Sequence, residues 1–298
     1  MKKLLFLSSA SLFLFFTACQ KDPAQVSVTS GINEAPIVVS PVAPPTEATD
    51  STMLLGNPSN ASSNTADFSN YLLREGYYSV SYNRDAGRPN WVSWHTTSTD
   101  YGSVPRQNDF RANDELPGDW YKANASSFGS LYEFDKGHMC PSADRTSSIE
   151  ANSSTFLMTN IVAQAPNNNQ QRWAALEDYC RSLVQDGNEL YIISGTNGEG
   201  GKGNSNTITT TLDNGNISVP AKLWKVIVVL PNGSNDLGRV KDTTRIISVI
   251  MDNENTVGSD WKSYRVSVDD IEFLTGYDLL SKVSGAIQSV IEARVDNL

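Results

Sequence analysis

The chain has 298 residues, 39% hydrophobic and 9% aromatic, which is enough apolar material to fill a large core and argues against a disordered protein. Its formal net charge is −10. That balance weighs against holding nucleic acid by a broad basic surface, so any recognition of phosphate has to be local.

In chain order, Lys2 and Lys3 precede an apolar run from Leu4 to Phe16, too short to span a bilayer comfortably and laid out like a secretory signal. The run ends in Phe16-Thr17-Ala18-Cys19, small residues before a cysteine as in the lipobox of bacterial lipoproteins. Residues 1–18 are therefore expected to be a signal peptide, with lipid carried on Cys19. An ordinary signal peptide is the alternative, and either reading implies export to the periplasm, outer membrane or cell surface. Cleavage removes two lysines and no acids, which takes the net charge to −12. Residues 19–66 are rich in Ser, Thr, Pro, Asn and Ala without periodicity, so they are expected to form a disordered linker. The folded domain is then expected over 67–298.

Alternation and β-branched content predict strands around Tyr77 to Tyr82, Trp91 to Thr97, Thr155 to Thr159, Leu190 to Ser194, Leu223 to Leu230 and Arg245 to Met251. Three- and four-residue spacing predicts helices at Asn169 to Gln185, Val268 to Thr275 and Leu279 to about Arg294. Strands and helices mix without regular βαβ alternation, which predicts an α+β fold with a mainly antiparallel sheet flanked by helices.

The glycine-rich stretch from Gly195 to Gly203 is not a phosphate-binding loop. Thr196 stands where its first glycine is required, and Gly203 follows Lys202 where Ser or Thr belongs. No Gly-x-Ser-x-Gly elbow occurs, and two histidines with three cysteines give no convincing zinc set.

The residues that carry chemistry are Asp135, Lys136 and His138, then Asn169, Glu177 and Arg181 at helical spacing. Together they supply a neutral base, an oxygen ligand for a hard cation, a carboxylate and a cation, the set needed for metal-assisted attack of water on a phosphodiester. On an ideal helix with Asn169 at zero, Trp173, Glu177 and Arg181 fall at about 40°, 80° and 120°. An N-cap at Asn169 and a surface ion pair between Glu177 and Arg181 would have the same spacing. His138 lies in irregular backbone beside Gly137 and Pro141, where a neutral imidazole can take a proton from water. Asp135 is expected to shape that loop, with orientation of His138 as the alternative. His95 has no such companions and is expected to be structural.

Three segments resemble the DNA/RNA non-specific endonuclease family, the sugar-non-specific ββα-metal nucleases. They are Asp135 through Arg145, Thr155 through Asn160, and Asn169 through Arg181. The likeness runs from about Tyr77 to Leu298, is close to the family's secreted cyanobacterial member, and includes Asn90 through Trp94, Arg106 through Arg111 and Leu274 through Asp278. The resemblance implies a ββα-metal fold, with His138 as general base and Asn169 as the direct ligand of one Mg²⁺, for which Mn²⁺ could substitute. It makes Glu177 a carboxylate acting on the ion through water, and Arg106 and Arg181 phosphate contacts. Asn160 and Gln164 match supporting positions. Lys136 stands where the family has arginine, keeping the charge and losing the bidentate fork.

It further implies cleavage of DNA and RNA to 5′-phosphate and 3′-hydroxyl ends without marked sequence preference. A protein inhibitor is left open. A binding lipoprotein on a degenerate nuclease scaffold is the competing reading, and a phosphodiesterase for small or lipid substrates a third. Cys140 and Cys180 each lie beside a site residue, so a disulfide between them and a pair of buried thiols are both open.

Overall fold

The computed structural model describes residues 51–129, 133–256, 258 and 260–298. Its spine is an antiparallel sheet of seven strands. In sequence they are β1 (Tyr71–Arg74), β2 (Ser79–Asn83), β3 (Arg88–Thr96), β6 (Asn188–Asn197), β7 (Lys222–Pro231), β8 (Arg245–Asp252) and β9 (Arg265–Val266), and they lie side by side in that order. The two strands missing from this series, β4 (Asp135–His138) and β5 (Ile161–Gln164), pair only with each other.

Both faces of the sheet are covered, which is why its central strands read as nearly continuous apolar runs. On one face Val92, Trp94, Leu190, Ile192, Leu223, Ile227, Ile247 and Val249 join one core cluster. Helix α2 (Ala174–Gln185) closes this face by burying Leu176, Cys180, Leu183 and Val184. Each Leu or Val so buried contributes roughly 1.5–3 kcal/mol. On the other face Trp91, Tyr191, Ile193, Trp224, Val226 and Val228 pack against Met53, Leu55, Ala61 and the helices α3 (Val268–Thr275) and α4 (Gly285–Ile291). Helix α3 starts at a Ser267/Asp270 capping box and stops at Gly276, whose φ of 72° the left-handed cap requires.

Four expectations change. The segment from Ser51 to Ala66, expected as linker, packs on the sheet through Met53, Leu55 and Ala61, so the folded unit begins at least as early as Ser51. Cys19 and residues 19–50 lie outside the described residues, as does the expected signal segment 1–18. Thr155 to Thr159 is not a strand: it runs from the end of helix α1 (Ile149–Ser154) into a short turn at Met158–Asn160, and the strand follows at Ile161. The last helix is confined to Gly285–Ile291, because Leu279 and Leu280 are buried in turns before it. The helix expected from Asn169 opens as a π-helical segment, Asn168–Trp173, and becomes α-helical only at Ala174. Among the described residues, no helix is long and apolar enough to cross a membrane.

Candidate active site

The β4–β5 ribbon and the π-helix with α2 bring the expected chemistry to one place. Asp135, Lys136, Gly137 and His138 pair with Gln164, Ala163, Val162 and Ile161. Gly137 has to be glycine, because a Cβ there would lie 2.6 Å from Gln164 Cβ. Beyond His138 the chain turns away from the ribbon, and Asn160 fixes that turn. Its side-chain oxygen accepts from Cys140 N (2.9 Å), and its Nδ2 donates to Cys140 O (2.9 Å) and Thr155 O (2.8 Å). Gln164 lies beneath Gly137 and donates to Asn168 Oδ1 (2.9 Å). Both side chains are fully buried.

Arg106, Lys136, His138, Ser142, Asn169, Gln170 and Glu177 line one cavity of about 230 Å³. His138 packs edge-on against Phe156 (4.9 Å between centroids) and tilted against Phe110 (5.5 Å). The two cations ride on the same rings, Arg106 over Phe156 (4.8 Å) and Lys136 over Phe110 (5.1 Å). Burial, and then the charge of Arg106, push His138 down to about 3, opposed by a hydrogen bond with the Lys136 backbone. The imidazole is therefore neutral at ordinary pH, and Nε2 has no protein partner. A buried polar atom of that kind marks a place for water or substrate.

Asp135 Oδ2 accepts from both Asn169 Nδ2 and Gln170 Nε2 at 2.8 Å. Asp135, expected to shape its own loop or to orient His138, thus bonds the side-chain amides of Asn169 and Gln170. With the amide nitrogen committed, the carbonyl oxygen is what Asn169 has to offer. Glu177 is raised by burial, against the lowering effect of Lys225, whose Nζ is 3.4 Å from Oε1. An amide oxygen and a carboxylate in one polar cavity suit a hard, oxygen-seeking divalent ion. The two places among the described residues where three His, Cys, Asp or Glu ligands converge, around His95 and around Asp269, share no residue with this lining.

Arg181 does not join the lining. Its guanidinium donates to Asp144 Oδ1 (3.1 Å) and to Asp178, which ties α2 to the loop after His138. Arg106 is placed by Ser142 (2.6 Å) and Asn108 (2.8 Å), while Asn152 holds the neighbouring Gln107 amide (3.0 Å). Of the other arginines, Arg145 is buried and donates to the carbonyls of Tyr77 and His95, and Arg88 to that of Gly198. His95 is structural, paired with Glu189 (3.0 Å) and stacked on Tyr191. Trp91 and Trp94 are core residues, and Cys140 and Cys180 are buried free thiols.

Sequence reasoning missed two residues here. Gln170 left no signal beyond its place in an amide-rich run. Lys225 did leave one, a lone charge in the strand Leu-Trp-Lys-Val-Ile-Val-Val-Leu, which the apolar pattern should have made conspicuous.

Residues 55–286 match the DNA/RNA non-specific endonuclease family. A nuclease of Nostoc sp. is 44% identical over 264 residues, 87% of this chain and 92% of that protein. Nuclease C1 of Cunninghamella echinulata is 33% identical over 175 residues, 55% of this chain and 67% of the relative. Among solved structures, one described as the EndoG/EndoGI complex superposes with a TM-score of 0.62 at 20% identity, covering 78% of this chain and 91% of that one, and so shares the fold.

Proposed function

The chain belongs to the DNA/RNA non-specific endonuclease family, and from that premise we propose how its pocket hydrolyses phosphodiesters. It is an endonuclease with the ββα-metal fold, whose members depend on a divalent metal. The observation that carries the reading is the pair lining one cavity: a neutral His138 with Nε2 unpartnered, and an Asn169 amide bonded to Asp135.

In this reading His138 is the general base. Its Nε2 accepts the proton of the attacking water, and burial keeps the ring unprotonated at neutrality. Arg106 and Lys136 hold the non-bridging phosphate oxygens, Arg106 presenting a planar fork and Lys136 a point charge. Asn169 directly, and Glu177 through water, would hold one Mg²⁺ or its substitute Mn²⁺, which when bound supplies positive charge to the phosphate and the departing 3′ oxygen. Arg181 acts one step back, holding Asp144 and the loop. In-line attack from the His138 side leaves 5′-phosphate and 3′-hydroxyl ends. Contacts confined to phosphate read neither base edges nor the 2′-hydroxyl, which supports DNA and RNA alike as substrates.

The test is incubation of closed circular plasmid and of single-stranded RNA with Mg²⁺ and with EDTA. Nicking of the circle and loss of the RNA are expected with Mg²⁺ and not with EDTA; cleavage undiminished by the chelator contradicts the metal role. Export with lipid on Cys19 belongs to the same proposal, supported by the pattern of residues 2–19. Incorporation of labelled fatty acid should be lost in Cys19→Ala, and its persistence there refutes the assignment.

A further inference from the structure

Strand β7 carries a charge on the face that looks toward α2. Leu223, Ile227 and Val229 pack in the core on that face, and Lys225, at the position between Leu223 and Ile227, is only 1% exposed. Its Nζ lies 4.3 Å from the Trp173 ring centroid, 5.6 Å from that of Trp94, and 3.4 Å from Glu177 Oε1. An ammonium persists in such a place only where aromatic faces and a carboxylate replace its water.

Stability alone does not account for it. A buried ion pair is commonly no more stable than an apolar side chain of the same volume, and a leucine or methionine would continue the row. The partner that Lys225 reaches, however, is the acid that lines the catalytic cavity. A glutamate has three side-chain torsions, and one on a helix flank is free to swing unless tied. Here one oxygen is tied to a cation that two indoles hold from the sides, leaving Oε2 as the oxygen available to the cavity.

We propose that Lys225 is a positioning residue of the endonuclease reaction: boxed by Trp94 and Trp173, it holds the Glu177 carboxylate in the one arrangement that serves the pocket. This rests on the reading that Glu177 acts there. The proposal differs from a packing role in what it requires of the kinetics. Lys225 should matter only through Glu177 and should leave substrate binding by Arg106 and Lys136 alone.

The test is a double-mutant cycle on full-length protein, with Lys225→Met, Glu177→Gln and their combination assayed for kcat and KM on a labelled duplex. Lys225→Met should lower kcat by roughly 10- to 100-fold, the usual loss when the partner that orients a metal-site group is removed, with KM within about twofold. The double variant should be no slower than Glu177→Gln alone. Lys225→Arg, which keeps the cation, should retain more activity than Lys225→Met. Urea denaturation should show Lys225→Met folded, so that its lost turnover is not lost protein. Should methionine fail to fold, Lys225→Gln is used with the same expectations. Unchanged kcat in Lys225→Met, or an equal further loss on the Glu177→Gln background, overturns the proposal. A fully active Glu177→Gln instead overturns the reading of the pocket on which it stands.

Discussion

Replacing Asp135 by alanine removes the acceptor of two hydrogen bonds at 2.8 Å, from Asn169 Nδ2 and Gln170 Nε2. Bonds to a carboxylate contribute about 1.5–3 kcal/mol each when well sheltered. Asp135 is half-buried, so about 2 kcal/mol is the reasonable bias holding the Asn169 amide in one orientation. A bias of that size favours the oriented amide about 30 to 1, and its loss leaves the two flips near parity. The flip alone therefore weakens a divalent ligand only about twofold. Freed torsions and the missing negative charge add to it, giving a total near the 10- to 100-fold typical of groups that orient ligands. The assay is cleavage rate against Mg²⁺ concentration: the midpoint should move up by that factor in Asp135→Ala, with part of the rate restored at saturation. Asp135→Asn keeps one acceptor oxygen and should fall between. A titration of Asp135→Ala that overlays the parent's refutes the reasoning.

Gly137→Ala drives a methyl group against Gln164 in a filled core, so urea denaturation should show a loss of about 1–3 kcal/mol, with activity falling as His138 is displaced. His138 makes stability depend on pH. Its folded pKa of about 3 lies below the ordinary 6.5, so its contribution is complete above 6.5 and is lost as pH falls from there toward 3, because the unfolded chain takes the proton first. At pH 5 the loss should be about 2 kcal/mol; His138→Gln should remove that part of the slope between pH 7 and 5, and an identical slope in the two proteins contradicts the buried neutral ring. Lys136→Arg restores a bidentate fork at the cavity wall, so KM should fall in a steady-state assay with kcat nearly unchanged.

Much of this site could be read from the chain because its chemistry is concentrated in short segments. Asp135 to His138 fall on one strand, and Asn169 and Glu177 on one helical run, so proximity in sequence became proximity in space. The central strands were equally legible, since β3, β6, β7 and β8 carry β-branched and aromatic runs that two covered faces demand. What failed were inferences from regularity. The uniform helical wheel ignored the wider π-helical turn around Asn169, and it carried Arg181 toward the cavity when Asp144 and Asp178 were waiting for its guanidinium. Thr155 to Thr159 is buried and apolar enough for a strand. Periodicity cannot separate a strand from a buried turn whose backbone is satisfied by the Arg111 backbone, the end of α1 and the Asn160 side chain. The segment after Ser51 is polar on average, yet Met53 and Leu55 suffice to dock it, and averages conceal two such residues. Gln170 and Lys225 bond to partners distant in sequence, Asp135 and Glu177, which spacing along the chain does not connect.

The most direct measurement is single-turnover cleavage of one labelled duplex by the parent, His138→Ala and Asn169→Ala at saturating Mg²⁺, with the product ends identified. The account predicts 5′-phosphate and 3′-hydroxyl ends from the parent. It also predicts a rate loss of at least about 100-fold in His138→Ala, the low end of what a positioned general base contributes. Cleavage by His138→Ala at the parent's rate, or ends carrying a 3′-phosphate, would contradict it.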